Sequence, residues 1–129
     1  MIEGVIVTPL KQFFDERGKV MHMLHDEAPH FKRFGEIYFS CTNPGAVKAW
    51  HMHKKMTLNY AVVSGSIKCV LYDDRSESQT KGELQEFFMS PENYFLLTVP
   101  PLILSWVFSF LEMAQIFRLL LISLKMMIL

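Results

Sequence analysis

Through its first hundred residues the chain is cut into short stretches that read as strands. Gly4–Val7, Lys19–Leu24, Glu36–Thr42, Val47–His53, Leu58–Val63, Ser66–Asp73, Glu83–Met89 and Tyr94–Val99 are rich in β-branched and aromatic side chains. Between them lie turn formers: Asp15-Glu-Arg-Gly18, Asn43-Pro-Gly45, Ser64-Gly65, Asp73-Asp-Arg75 and Ser90-Pro-Glu-Asn93. No long helical period interrupts this spacing, and no internal repeat appears. The pattern predicts an all-β domain, an antiparallel barrel or jelly roll, over residues 1–101. A chain of 129 residues has room for one such core. Its formal net charge of zero leaves no electrostatic footprint for nucleic acid.

Within that scaffold one segment carries chemistry. Gly45-Ala-Val-Lys-Ala-Trp-His51-Met-His53 sets two histidines one residue apart, with Gly65 following. Strand side chains alternate, so an H-x-H pair is expected on one face. The frame of glycines and histidines resembles the first signature of the cupins, small β-barrels that work through inward-facing strand residues. Where metal-binding cupins carry a glutamate, this chain has Leu58. Two imidazoles can still ligate a metal, so a metal-binding cupin using His51 and His53 is one reading. Two half-buried histidines with no chemistry are the plain alternative. Trp50, Phe87 and Phe88 read as core or dimer-contact aromatics.

Beyond Pro101 the composition changes. Of the 28 residues from 102 to 129, 21 are apolar, and Glu112, Arg118 and Lys125 are the charged ones. Turn residues and β-alternation both disappear, so residues 102–129 stand apart as an atypical hydrophobic tail that a helix would suit. Glu112, Gln115 and Arg118 keep any uncharged run below the ~18 residues a membrane span needs, and no membrane association is expected. Three readings are open: a poor tail anchor, a helix buried in the fold or against a partner, or translation in a displaced frame. If codons are read from the third base of each written codon, Trp106-Val107 forces Gly and Met113-Ala114 forces Gly. Met126-Met127-Ile128 then forces Asp-Asp, and the free bases permit an ordinary polar strand with turns.

Four motifs in order resemble the sugar-nucleotide epimerase branch of the cupins, the dTDP-4-dehydrorhamnose 3,5-epimerase family. Asp15-Glu-Arg-Gly18 is similar to its D-x-R-G turn, and Gly45-Ala-Val-Lys-Ala-Trp-His51 to G-V-x-R-G-x-H. Asp73-Asp-Arg75-Ser-Glu-Ser78-Gln-Thr80-Lys-Gly82 follows D-x-R-x-x-S-x-T-x-G. Val99-Pro-Pro101 opens V-P-x-G-x-x-H-G-F, and the displaced frame supplies that Gly-Phe.

The resemblance implies a cofactor-free isomerase acting on a 4-keto sugar nucleotide, as a cytoplasmic homodimer. A histidine removes the proton next to the ketone, and a tyrosine on the other face returns one. His51 takes the base position, and Lys48 stands for an arginine near the enolate or phosphate, keeping the charge but not the bidentate fork. Arg17 matches the arginine that holds the nucleotide diphosphate. His22 replaces a glutamate a few residues further on. His53 and Lys55 are further candidates for substrate binding, Lys55 lying near the family's lysine position, which is Leu58 here. Asp73 and Arg75 read as fixing a turn rather than touching substrate. No metal is expected.

The family's acid tyrosine and the carboxylate that orients its histidine belong to the C-terminal region, which residues 102–129 do not reproduce. A non-enzymatic cupin fragment with an interacting tail is therefore a third reading. Strand alternation would put Lys48 and His51, three residues apart, on opposite faces unless a bulge intervenes. The chain opens Met1-Ile-Glu-Gly-Val, without a basic or apolar leader, so no secretory signal is expected. Cys41 and Cys69 lack metal-type spacing and read as buried reduced thiols, which suits a cytoplasm.

Overall fold

A computed structural model of the chain describes residues 1–110 and, as backbone, strand 120–127. Its elements are β1 (Ile6–Pro9), β2 (Gln12–Asp15), β3 (Gly18–Met21), β4 (Glu36–Ser40), β5 (Val47–His51) and β6 (Met56–Ser64). They continue as β7 (Ile67–Asp73), β8 (Leu84–Met89), β9 (Phe95–Val99), β10 (Ile103–Ser109) and β11 (Leu120–Met127). Two antiparallel sheets, β1-β9-β6-β11-β4 and β5-β10-β7-β8, stand beside a small hairpin of β2 and β3. This is the all-β, cupin-type jelly roll that the strand spacing predicts.

Burial explains the layering. On β10, Ile103, Ser105, Val107 and Ser109 are buried while Leu104, Trp106 and Phe108 are half-exposed, the alternation of a strand with one inward face. Ile67, Cys69 and Leu71 of β7 and Phe87 and Met89 of β8 join Ile103 and Val107 in one core cluster with Leu58, Tyr60 and Val62 of β6 and Leu97 and Val99 of β9. The core therefore lies between the two sheets. The opposite face of the larger sheet is covered too: Ala61 and Leu96 pack with Leu10, Met21, Met23 and Leu24. Covering on both faces makes β6 buried along most of its length.

The four-stranded sheet runs past residue 101, because β10 pairs β7 on one side and β5 on the other. A helical tail is not what the described residues show: 103–109 and 120–127 are strands. The physical reason is pairing. β11 lies between β4 and β6, where each backbone edge finds a partner, and such tertiary pairing overrides a local apolar run that lacks alternation. Residues 111–119 and 128–129 lie outside the described residues, and with them Met113-Ala114 and Ile128, on which most of the displaced-frame reading rests. No described helix is long and apolar enough to cross a membrane.

Two backbone positions frame the chemistry. Gly45 (φ +74°) turns the chain into β5, a conformation that a Cβ disfavours. Leu102 has φ +67°, the one described non-glycine residue with positive φ, and its N–H donates to the His53 carbonyl at 2.8 Å. Val99-Pro-Pro101-Leu102 thus puts leucine where the V-P-x-G motif has glycine. Of the two cysteines, Cys69 is buried and free, whereas Cys41 is exposed and free rather than buried.

Candidate active site

His51 ends β5, and the pairing with β10 decides which way it faces. Ser105 pairs with His51, and Val107 with Lys48, so two steps along β10 match three along β5. That mismatch is a β-bulge within Lys48–His51. Directly paired residues share a face, and Ser105 and Val107 are buried facing the core. The extra residue therefore brings Lys48 and His51 to the same inward face, while Trp50 turns outward against Trp106 (ring centroids 6.3 Å apart, edge-on). β5 is an edge strand with exposed residues throughout, so the pair sits at the mouth of the barrel rather than deep within it.

The other lip of that mouth is β4, the edge of the larger sheet. The Lys48 ammonium crosses to it, donating to Ser40 Oγ at 3.0 Å and to the Cys41 carbonyl. Ser123 of β11 pairs with both Tyr38 of β4 and Tyr60 of β6, so the two tyrosines lie in one row on one face. Tyr60 belongs to the core, which makes that face the inward one. Along β4 the inward row is then Glu36, Tyr38 and Ser40, at Lys48's side of the barrel. The alternation in Glu36-Ile-Tyr38-Phe-Ser40, polar on one face and apolar on the other, was the signal for these residues.

Tyr60 crosses the interior from β6. Burial pushes its phenol well above the ordinary range, Cys69 adds to that, and a hydrogen bond with the Ser105 side chain works the other way. Cys69, fully buried, is pushed up to about 12 by burial alone. Ser105 Oγ donates in turn to the His51 carbonyl at 3.3 Å. Counted along V-P-x-G-x-x-H-G-F from Val99, Ser105 stands at the motif's histidine. Leu58, at the position of both the cupin glutamate and the family's lysine, is buried in the core, so an apolar contact replaces a charge there.

The remaining candidates are more scattered. His53 is half-buried just beyond the end of β5, where period-two alternation no longer sets its face, and Lys55 is exposed in the bend before β6. Arg17 is at the tip of the β2–β3 hairpin, its side chain 82% exposed and its guanidinium 2.6 Å from Asp15. That guanidinium holds the Asp15 carboxyl below its usual range. His22 packs at a tilt on Phe13 (5.1 Å) and lines a cavity of about 560 Å³ with Leu10, Met23, His25 and His30, outside the barrel mouth. The structure thus brings His51 and Lys48 together and leaves Arg17 and His22 on a separate element. Among the described residues no three His, Cys, Asp or Glu side chains converge as a metal shell.

Asp73, the last residue of β7, and Arg75 form a staple, with β10 lying between β7 and β5. Asp73 is fully buried, and Arg75 Nε and Nη2 donate to its two oxygens at 2.9 and 2.8 Å. Ser78 and Thr80 hydroxyls donate to Oδ2 at 2.6 and 2.7 Å, and Arg75 Nη2 also reaches the Glu3 carbonyl at 2.7 Å. The D-x-R-x-x-S-x-T pattern here ties a turn to the N-terminal segment.

The chain is similar to known proteins over most of its length. It is 36% identical over 100 residues to the spore coat polysaccharide biosynthesis protein SpsL of Bacillus subtilis, covering 78% of this chain and 66% of that one. It is 33% identical over 101 residues to the probable low-salt glycan biosynthesis epimerase Agl13 of Haloferax volcanii, covering 77% and 65%. The matches therefore span slightly less than two thirds of those relatives' own length. A crystal structure of a dTDP sugar isomerase from Desulfovibrio desulfuricans G20 superposes with a TM-score of 0.88 at 38% identity, covering 96% of this chain and 77% of that one. These relatives do not favour the metal-binding or non-enzymatic readings. With the family model for dTDP-4-dehydrorhamnose 3,5-epimerase matching residues 1–117, the chain belongs to that family of sugar-nucleotide isomerases.

Proposed function

We propose that the chain acts on a dTDP-linked 4-keto sugar, removing a proton next to the ketone as a dTDP-4-dehydrorhamnose 3,5-epimerase-like isomerase in dTDP-rhamnose biosynthesis. The bulge in β5 carries this reading, because it sets an imidazole and an ammonium on one face of the barrel mouth. His51 is the base. Lys48, already extended across the mouth to Ser40, supplies positive charge as the enolate forms. The ketone acidifies the proton, so the step needs no cofactor. His53 and Lys55, in the segment that follows His51, bind the substrate beside it.

A homodimer fits the outer face of the smaller sheet. Trp50 and Phe88 are 50% and 53% exposed there, with Val47 and Leu84 similarly open, an apolar surface of the kind that marks a partner contact. Arg17 and His22, on an exposed hairpin away from their own His51, serve the nucleotide diphosphate if they reach the site of a second copy. Two free thiols suit a cytoplasmic, reducing setting. Titration of the protein with a dTDP-4-keto-6-deoxy sugar in a calorimeter tests the substrate class. Saturable binding that is weakened by Arg17→Ala is expected; no heat at millimolar ligand would overturn the reading.

A further inference from the structure

A lysine carries its charge on a flexible stem, whereas the arginine it stands for has a rigid fork. Lys48 can therefore serve one defined oxygen only if something outside its own side chain fixes the ammonium. β4 supplies that: Lys48 Nζ donates to Ser40 Oγ at 3.0 Å and to the Cys41 carbonyl. The register of β4 with β11 ends at the pair Ser40–Leu121, so the Cys41 carbonyl lies past the ladder, where a side chain can take it. The loop between β4 and β5 is itself tied down. Ala46 N–H donates to the Asn43 carbonyl at 2.9 Å and Gly45 N–H to the Ser109 carbonyl at 3.0 Å, while Ser109 N–H donates to the Ala46 carbonyl at 3.2 Å. Both ends of the Lys48 contact thus rest on paired strands, β4 on β11 and β5 on β10. An ammonium has three N–H donors; the acceptors on β4 take two, and the third is left for a negative oxygen at the mouth. Resting on the proposed epimerase reading, we infer that Ser40, with the Cys41 carbonyl, is a positioning residue that aims the Lys48 ammonium at the enolate oxygen. Ser40 gives the reaction no proton and takes none. It accepts from Lys48 and so has the charge in place before the enolate forms, when a preorganised charge counts most.

Positioning leaves signatures that loop packing alone does not. Ser40→Val and Ser40→Thr share a branched shape that suits a strand, and only threonine keeps the hydroxyl. Ser40→Val should lower kcat for α-proton exchange on a dTDP-4-keto sugar about ten- to a hundredfold, with KM within about twofold. Ser40→Thr should retain most of the rate. In a Lys48→Met background Ser40→Val should cost nothing further, because the ammonium it positions is gone. NMR of protein labelled at lysine Cε, without substrate, gives a reading apart from activity. The two Hε protons of Lys48 should be inequivalent in wild type, merge in Ser40→Val and stay apart in Ser40→Thr. Wild-type kcat and an unchanged Lys48 signal in Ser40→Val would overturn the inference. A rise in KM with kcat unmoved would overturn the enolate assignment, since the charge would then serve binding alone. An equal loss from Ser40→Val in the Lys48→Met background would reduce Ser40 to packing and overturn it too. If the wild-type protein exchanges no protons, the epimerase reading fails, and the Lys48 signal alone decides whether Ser40 holds the ammonium.

Discussion

Asp73 shows most clearly how a single side chain holds this fold. Its carboxylate takes five hydrogen bonds, from the Arg75 amide, Nε and Nη2 and from the Ser78 and Thr80 hydroxyls. Arg75 first, then those hydroxyls, hold its pKa far below the ordinary range against the opposing effect of burial. A carboxyl depressed in the folded state adds stability above its unfolded value near 4, and that stability is lost as pH falls toward the folded value. Urea unfolding of wild type should therefore weaken below about pH 4, and Asp73→Asn should flatten that pH dependence. At pH 7 the substitution should cost about 2–4 kcal/mol, since it leaves Arg75 without its buried partner. An unchanged urea midpoint would contradict this. Leu102 is the opposite case. A leucine at φ +67° bears a steric cost of about 1 kcal/mol, and its side chain is 43% exposed, so little burial repays it. Leu102→Gly should raise stability by about 0.5–1 kcal/mol in the same assay; a lower midpoint would show that the turn relies on the leucine side chain. The staple was legible from the sequence, because D-x-R-x-x-S-x-T sets donors around one acid within a turn. The strain at Leu102 was not, because φ depends on where Pro100-Pro101 turns the chain against His53.

At the scale of elements, the informative comparison is between β5 and the tail. The H-x-H frame, with Gly45 and Gly65 around it, announced a strand carrying His51, and β5 is that strand. What local pattern could not fix was the partnership of Lys48 and His51, since alternation alone separates residues three apart. The bulge that unites them exists only in the pairing with β10, a segment the apolar composition had marked as outside the barrel. The same blindness affected β11, whose run of aliphatic residues carries no alternation and becomes a strand through β4 and β6. Glu36, Tyr38 and Ser40 were readable as an alternating strand, but their facing toward the mouth required the shared row with Tyr60. Removing the extra residue of the bulge, by deleting Ala49, should restore regular pairing and leave Lys48 and His51, then two residues apart, on one face. Hydrogen exchange should then show tighter protection across β5 with substrate turnover retained; turnover lost despite the tighter pairing would show that the co-facing of the pair is not what serves the chemistry.

The whole molecule joins a buried two-sheet core to an open mouth between two edge strands, with aromatic surface on the outside. Trp50 and Trp106 stack edge-on, Lys68 lies 5.5 Å over the Trp106 ring, and Phe88 stacks on Phe110 at 6.0 Å. An outer face of this composition suits the proposed homodimer, in which a second copy covers it. Trp50→Glu with Phe88→Glu should convert a dimer into a monomer in sedimentation analysis, without loss of β structure; a wild-type monomer at high concentration would contradict the homodimer. The central claim, however, is that His51 takes a proton from carbon next to a ketone. Its most direct test is deuterium wash-in from D2O at C3 and C5 of a dTDP-4-keto-6-deoxy sugar, followed by NMR with wild type and His51→Asn. The account predicts exchange well above the buffer rate in wild type, falling about 10²–10⁴-fold in His51→Asn while the nucleotide sugar still binds. Wild-type protein that binds the sugar yet exchanges its protons no faster than buffer, or His51→Asn that exchanges as fast as wild type, would contradict it.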